Sequence, residues 1–261
     1  MHGVGNDKRY RQVMALAVGA ALLAGTAGCA GGSTDADGKG EAASAAPGPS
    51  GTSSAAPSAA PSAVGTPGPG ADRLKALLLA PGSKAGRYEV SEPILDEPMN
   101  ELYDAAPVVC QPLTSLGKAG HTAQAYGTVR VPGSPLDIGT DILLRSYPGA
   151  SAAQAALKSL GEAGKQCAGG YTEDRALAEA KVLRVEEVKA PSVGDEARAY
   201  RIVVQDVKDE KISLYRYLTL VRSGSVTLSF RSDVFDVKDF GGVPQEIVTA
   251  QWEKFSKGPA S

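Results

Sequence analysis

Few residues in this 261-residue chain combine the type and spacing that chemistry needs. Beyond residue 28 there is one histidine, His121, in GKAGHTAQAY, with no acid or cysteine at a telling offset. A general base needs a partner that fixes its tautomer, so a lone histidine in a Gly-rich stretch reads as a solvated loop or strand-end residue. Asp233, Asp236 and Asp239 recur every three residues in SDVFDVKDF. Carboxylates can hold a divalent cation, but this spacing is not that of an EF-hand loop, which requires a central Gly and a terminal bidentate Glu. If the chain is extended the three cannot share a face, so solvated charge between a strand and the last helix is the expectation. Tyr215, Arg216 and Tyr217 could line a ligand groove, yet alternation sends both tyrosines to the face opposite Leu214 and Leu218, and a structural role is expected. There is no GxSxG elbow, HExxH pair or Walker loop. No catalytic residue, metal site or cofactor is therefore assigned, and the chain is not expected to be an enzyme.

The cysteines carry more information. Val13 to Ala24 is an apolar run preceded by Lys8, Arg9 and Arg11. It is too short for a bilayer, which takes about 20 residues, and has the form of a secretory signal. Thr26-Ala27-Gly28-Cys29 follows and resembles the bacterial lipobox, with Thr26 where that pattern most often has Leu. This implies a signal peptide over residues 1–28 and acylation of Cys29. Two or three acyl chains, at about 0.8 kcal/mol per buried CH₂, would anchor the protein to the outer face of the cell membrane. Cys110 and Cys167 remain. In an exported protein two leftover thiols read as one disulfide. A thiolate metal or redox site would want a CxxC pair, which is absent.

Residues 29–71 are expected to form a tether. From Ala30 to Gly70 the chain is Ala, Gly, Ser, Pro and Thr with four charges, too poor in large apolar side chains to offset the entropy of ordering. A random coil of that length spans about 35 Å.

Residues 72–257 are long enough for one domain with a sizeable core, followed by a tail over 258–261. Of 27 basic and 29 acidic residues, four of each precede residue 71, leaving the domain near charge −2. That balance gives no support to nucleic-acid binding, which shows a basic excess. In GASAAQAALKSLGEAGKQC, Ala153, Ala156, Leu157, Leu160 and Gly164 fall on one helical stripe that Cys167 continues. Tyr200, Ile202 and Val204 alternate onto one face of a strand, and Ile212, Leu214, Leu218 and Leu220 onto one face of the next, interrupted by Arg216. Val226, Leu228 and Phe230 make a third, so an antiparallel meander is expected, with turns at Asp209-Glu210 and Ser223-Gly224. AQAYGTVRV and DILLRSY suggest an earlier strand pair, and DRLKALLLA a short helix. In GGVPQEIVTAQWEKF, Pro244 suits a first helical turn and Val243, Ile247, Val248, Gln251, Trp252 and Phe255 make an amphipathic face. Together these predict an α+β domain: an antiparallel β-sheet packed by amphipathic helices on one side, with one disulfide.

The stretches LKALLLAPGSKAGRYEV, VVCQPL, VGDEARAYRI and LTLVRSGSVTLSF, the cysteine ending an alanine-rich helix, and the closing amphipathic helix together resemble the PknH-like extracellular sensor domain. That family occurs in actinobacterial lipoproteins and as the outer portion of receptor kinases. The resemblance covers residues 72 to 257. It implies a sheet packed by helices with a cleft for an unidentified small ligand, and it carries over no catalytic residue. Kinase relatives typically have two disulfides where this domain has cysteines for one, and this chain shows no kinase portion. The expected function is a cell-envelope lipoprotein presenting a non-catalytic ligand-binding or sensor-like domain. Its partners would be the membrane, through the lipid anchor, and a small envelope ligand or a protein. The alternatives are a structural or protein-interaction lipoprotein, and a carboxylate-based hydrolase.

Overall fold

A computed structural model describes residues 65–134, 138–175, 178–234 and 237–258; the expected signal peptide, Cys29 and most of the tether lie outside these residues. The last part of the expected tether is seated on the domain. The Gly68 amide donates to the Tyr147 carbonyl at 3.0 Å, and the Ser146 hydroxyl to the Pro69 carbonyl at 2.5 Å. The chain then enters α1 (Ala71–Leu77), and continues through β1 (Lys84–Ala85), β2 (Tyr88–Ser91) and a 3-10 turn at Met99–Leu102. Next come β3 (Asp104–Ala106), a 3-10 turn at Val108–Cys110 running into α2 (Gln111–Thr114), β4 (Ala123–Arg130) and β5 (Gly139–Ser146). After α3 (Ala150–Gln166) follow β6 (Tyr171–Asp174), β7 (Glu179–Val188), β8 (Glu196–Gln205), β9 (Ser213–Ser223), β10 (Val226–Asp233) and α4 (Gln245–Lys257).

The strands pair antiparallel throughout in the order β1-β2-β4-β5-β10-β9-β8-β7-β6-β3. The expected meander is β8-β9-β10, and the expected earlier pair is β4-β5. Five further strands, β1, β2, β3, β6 and β7, complete the sheet.

Alternation along β9 shows how both faces are used. Tyr217 and Val221 join Val226, Leu228, Phe230, Ile142 and Leu144 in a core that Leu74 of α1, Leu78 just after it, and Ile247 and Val248 of α4 close over. Leu218 and Leu220 point the other way, into a second core with Tyr200, Ile202 and Val204 that α3 covers with Leu157, Leu160 and Ala163. The helices therefore pack on both faces rather than one. Central strands such as β9 bear large apolar side chains on each side, so each face needs its own cover. Gly161 and Gly164 let α3 lie close to the sheet, because a Cβ at Gly164 would enter the Tyr200 ring and one at Gly161 would meet the Arg198 guanidinium. Cys110 and Cys167 form a disulfide, with Cα atoms 5.9 Å apart, both fully sealed in the second core. It ties the 3-10 turn before α2 to the C-terminal end of α3.

Candidate functional site

The second face is covered by α2 and α3 over only part of its area. Where that cover stops, a cleft of about 720 Å³ opens over β4, β5, β10, β9 and β8. Its floor follows from strand register: Tyr126 and Thr128 of β4, Asp141 of β5, Asp233 of β10, Arg216 and Leu214 of β9, and Val204 of β8 all project to this side. The segment Glu92–Tyr103 makes one wall and Asp206–Val207 lie opposite.

The wall is held by side chains reaching α2 and the sheet. Asn100 donates to the Thr114 carbonyl at 2.8 Å, and the Gln111 side chain bridges the Tyr103 carbonyl and the Ala105 amide at 3.0 and 2.9 Å. Glu101 accepts from the Ser115 hydroxyl at 2.6 Å and lies 2.8 Å from the Arg145 guanidinium, with both charged side chains almost wholly buried. Burial works against the Glu101 carboxylate, but Arg145 and Ser115 outweigh it and hold the carboxyl below its ordinary range.

The floor is a network of compensated charge. Glu173, fully buried on β6, accepts from Arg216 at 2.8 Å and from Arg175 at 2.6 Å, and also from the Thr114 hydroxyl at 3.0 Å. Desolvation opposes its charge, yet Arg216 and then Arg175 win and push the carboxyl down to about 2. Arg216 reaches Asp233 with its Nε at 3.0 Å. Arg175 also lies over the Tyr103 ring, 5.5 Å from its centroid, joining floor to wall. Asp141 is compensated less completely. It accepts from the Tyr126 hydroxyl at 2.8 Å, and Arg130 stands 4.0 Å away. Burial therefore raises its carboxyl above the ordinary range, reinforced by Asp233, against the Tyr126 hydrogen bond.

The residues weighed from sequence are redistributed by the fold. Asp233 lines the cleft, whereas Asp239 lies toward the opposite face, accepting from Tyr217 at 2.5 Å and pairing with Arg201. Asp236 lies outside the described residues. The strand end thus separates Asp233 from Asp239, and both are ion-paired rather than merely solvated. Among the described residues no group of three or more His, Cys, Asp and Glu is placed to hold a metal ion. His121 lies at the strand end, two residues before β4, half-buried and with Nδ1 sequestered without a hydrogen-bond partner. Burial and the nearby Arg145 depress its basicity. Tyr215 and Tyr217 fall, as expected, on the face opposite Leu214 and Leu218, and the Tyr217 hydroxyl also accepts from the Phe240 amide at 2.6 Å. Arg216, which looked like an interruption of an apolar face, is the centre of the floor's charge network. The sequence signal for it was that interruption itself; Glu173, Arg175 and Asp141 had none.

No family model and no curated protein matches this sequence. Among solved structures, the extracellular domain of PknH from Mycobacterium tuberculosis superposes with a TM-score of 0.51 at 14% identity, covering 71% of this chain and 94% of that one. An Rv0999 ortholog from Mycobacterium smegmatis overlaps more loosely, with a TM-score of 0.31 at 14% identity over 66% of this chain and 86% of that one. The described part of the chain therefore shares the fold of the PknH extracellular domain: a helix-covered antiparallel sheet, here with one disulfide.

Proposed function

We propose that this chain is an extracytoplasmic, lipid-anchored binding module whose cleft holds a small ligand without transforming it. The observation that carries the reading is the cleft itself. Its volume of about 720 Å³ is within the range that holds small molecules, and it combines convergent polar groups on the floor with apolar side chains on the rim. The floor groups favour holding over reacting. Glu173 is committed to two arginines, Asp233 to Arg216 and Asp141 to Tyr126, which makes a fixed hydrogen-bonding surface. The PknH extracellular domain supports the setting by its fold, the lipobox-like Thr26–Cys29 supports the anchor, and among the described residues no helix is long and apolar enough to cross a membrane.

Native mass spectrometry of the full chain exposed to cell-envelope extract tests this. The expected result is one discrete added mass, lost when Met99→Trp and Val207→Trp narrow the mouth. A clean unliganded spectrum, or an added mass indifferent to those substitutions, would refute the reading.

A further inference from the structure

The structure also indicates what kind of molecule the cleft suits. We propose that it takes an amphiphile with an uncharged polyhydroxyl head, such as a sugar, on the floor and an alkyl or acyl chain along the rim; this deepens the ligand-site reading above and rests on it.

Three observations converge. The first is Thr128. It is only 5% exposed, it projects from β4 directly opposite Asp141 of β5 and lines the cleft, and its sealed hydroxyl, standing beside Asp141 and Tyr126, makes no close hydrogen bond. A buried hydroxyl without a close hydrogen bond is costly, and a turn of the Thr128 side chain toward the cleft would let an incoming hydroxyl satisfy it.

The second is charge. Arg130, Arg175 and Arg216 line the cleft with Glu92, Asp141, Asp206 and Asp233, and Glu173 stands behind them. A phosphate or sulfate head would be desolvated against Asp141 and Asp233, and an ammonium head against the guanidinium groups. Hydroxyls meet neither penalty, since they donate to the carboxylates and accept from Arg130.

The third is the rim. Ile94 is 99% exposed, Leu95 50%, Met99 53% and Val207 61%, and all four border the cleft, on both sides of it. Large apolar groups gathered at the mouth of a polar floor mark a surface that is covered in use. One molecule that covers both regions is polar at the inner end and apolar at the outer.

The test uses the full chain with Cys29→Ser, which cannot be acylated, and octyl β-D-glucoside below its micelle concentration, followed by isothermal calorimetry. Octyl sulfate and octyltrimethylammonium serve as probes with the same tail and a charged head. Saturable binding of the glucoside is expected, weakened about three- to tenfold by Thr128→Val, as befits one lost hydrogen bond. Combined Ile94→Ser and Leu95→Ser should weaken it as well. Thr128→Val removes a hydroxyl that makes no close hydrogen bond, so its folding should be intact by circular dichroism, and the exposed rim changes should not unfold the domain either. Equal or tighter binding of a charged-head probe, sensitive to the same substitutions, would overturn the polyol head and leave the ligand site standing. Glucoside binding indifferent to all of them would overturn the proposal as detergent association elsewhere. Failure of every probe would also overturn it, and the envelope-extract spectrum then separates a different ligand from no ligand. Release of octanol would overturn it too, by making the site hydrolytic.

Discussion

Glu173→Gln is the sharpest probe of how the cleft floor is held. The substitution keeps the side chain's size and its acceptor oxygen for the Thr114 hydroxyl, but removes the charge that Arg216 and Arg175 share. Those two guanidinium groups, 13% and 22% exposed, would lose the carboxylate between them, with Arg216 keeping only Asp233. The carboxyl falls from an ordinary 4.5 to about 2 in the folded protein. At about 1.36 kcal/mol for each tenfold change in proton affinity, that amounts to about 3 kcal/mol of folding stability carried by the charge. Breaking one partner out of a buried ion pair typically costs about 3–5 kcal/mol, which agrees. The sign follows from a depressed carboxyl. Its contribution is complete above pH of about 4.5, where the unfolded chain is already ionised, and is lost as pH falls toward about 2. Urea denaturation followed by the fluorescence of Trp252, the one tryptophan, gives the assay. At pH 7 the variant should be about 3 kcal/mol less stable, with Tm lower by about 6–12 °C for a domain of this size. Near pH 2 the difference should shrink below about 1 kcal/mol. A difference under about 1 kcal/mol at pH 7, or one that does not change with pH, would refute the account of the floor as a charge network.

Other perturbations test other levels. Cys110→Ser opens a loop with a sequence separation of 57 residues and should cost about 4 kcal/mol in the chain-entropy account; an unchanged melting temperature would contradict it. Gly170 has φ +102°, and an added Cβ there would run into the Val182 carbonyl and come within 2.9 Å of the Leu183 carbonyl oxygen. Gly170→Ala should therefore destabilise by at least about 2 kcal/mol in urea titrations. Cys29→Ala should move the protein from the membrane to the soluble fraction on cell fractionation, and retention at the membrane would count against the lipid anchor.

Much of the scaffold was legible in the sequence because it rests on local periodicity. Ala153, Ala156, Leu157 and Leu160 lie one helical turn apart, and that stripe is what α3 buries. Strict alternation in β8, β9 and β10 gave the meander for the same reason. β7 is ten residues long yet was missed. Its register shifts between Val182 and Arg184, and a bulge breaks the two-residue rhythm by which a strand is recognised. β1, β2, β3 and β6 span four residues or fewer, too short for any period to show.

By itself, then, the sequence determined the α+β class, the central meander, the pairing of two thiols into one disulfide, and the chemical character of residues 1–70. These depend on near neighbours, on composition, or on elimination among three cysteines. Only the tertiary structure decided that helices cover both faces, that Asp233 and Asp239 part company, and that Thr128, Asp141, Glu173 and Arg216 share one face of the sheet. Glu173 and Arg216 are 43 residues apart in the chain, and no local pattern foretells their meeting. Their contact is fixed by the register of distant strands, and so is the floor on which a ligand would sit.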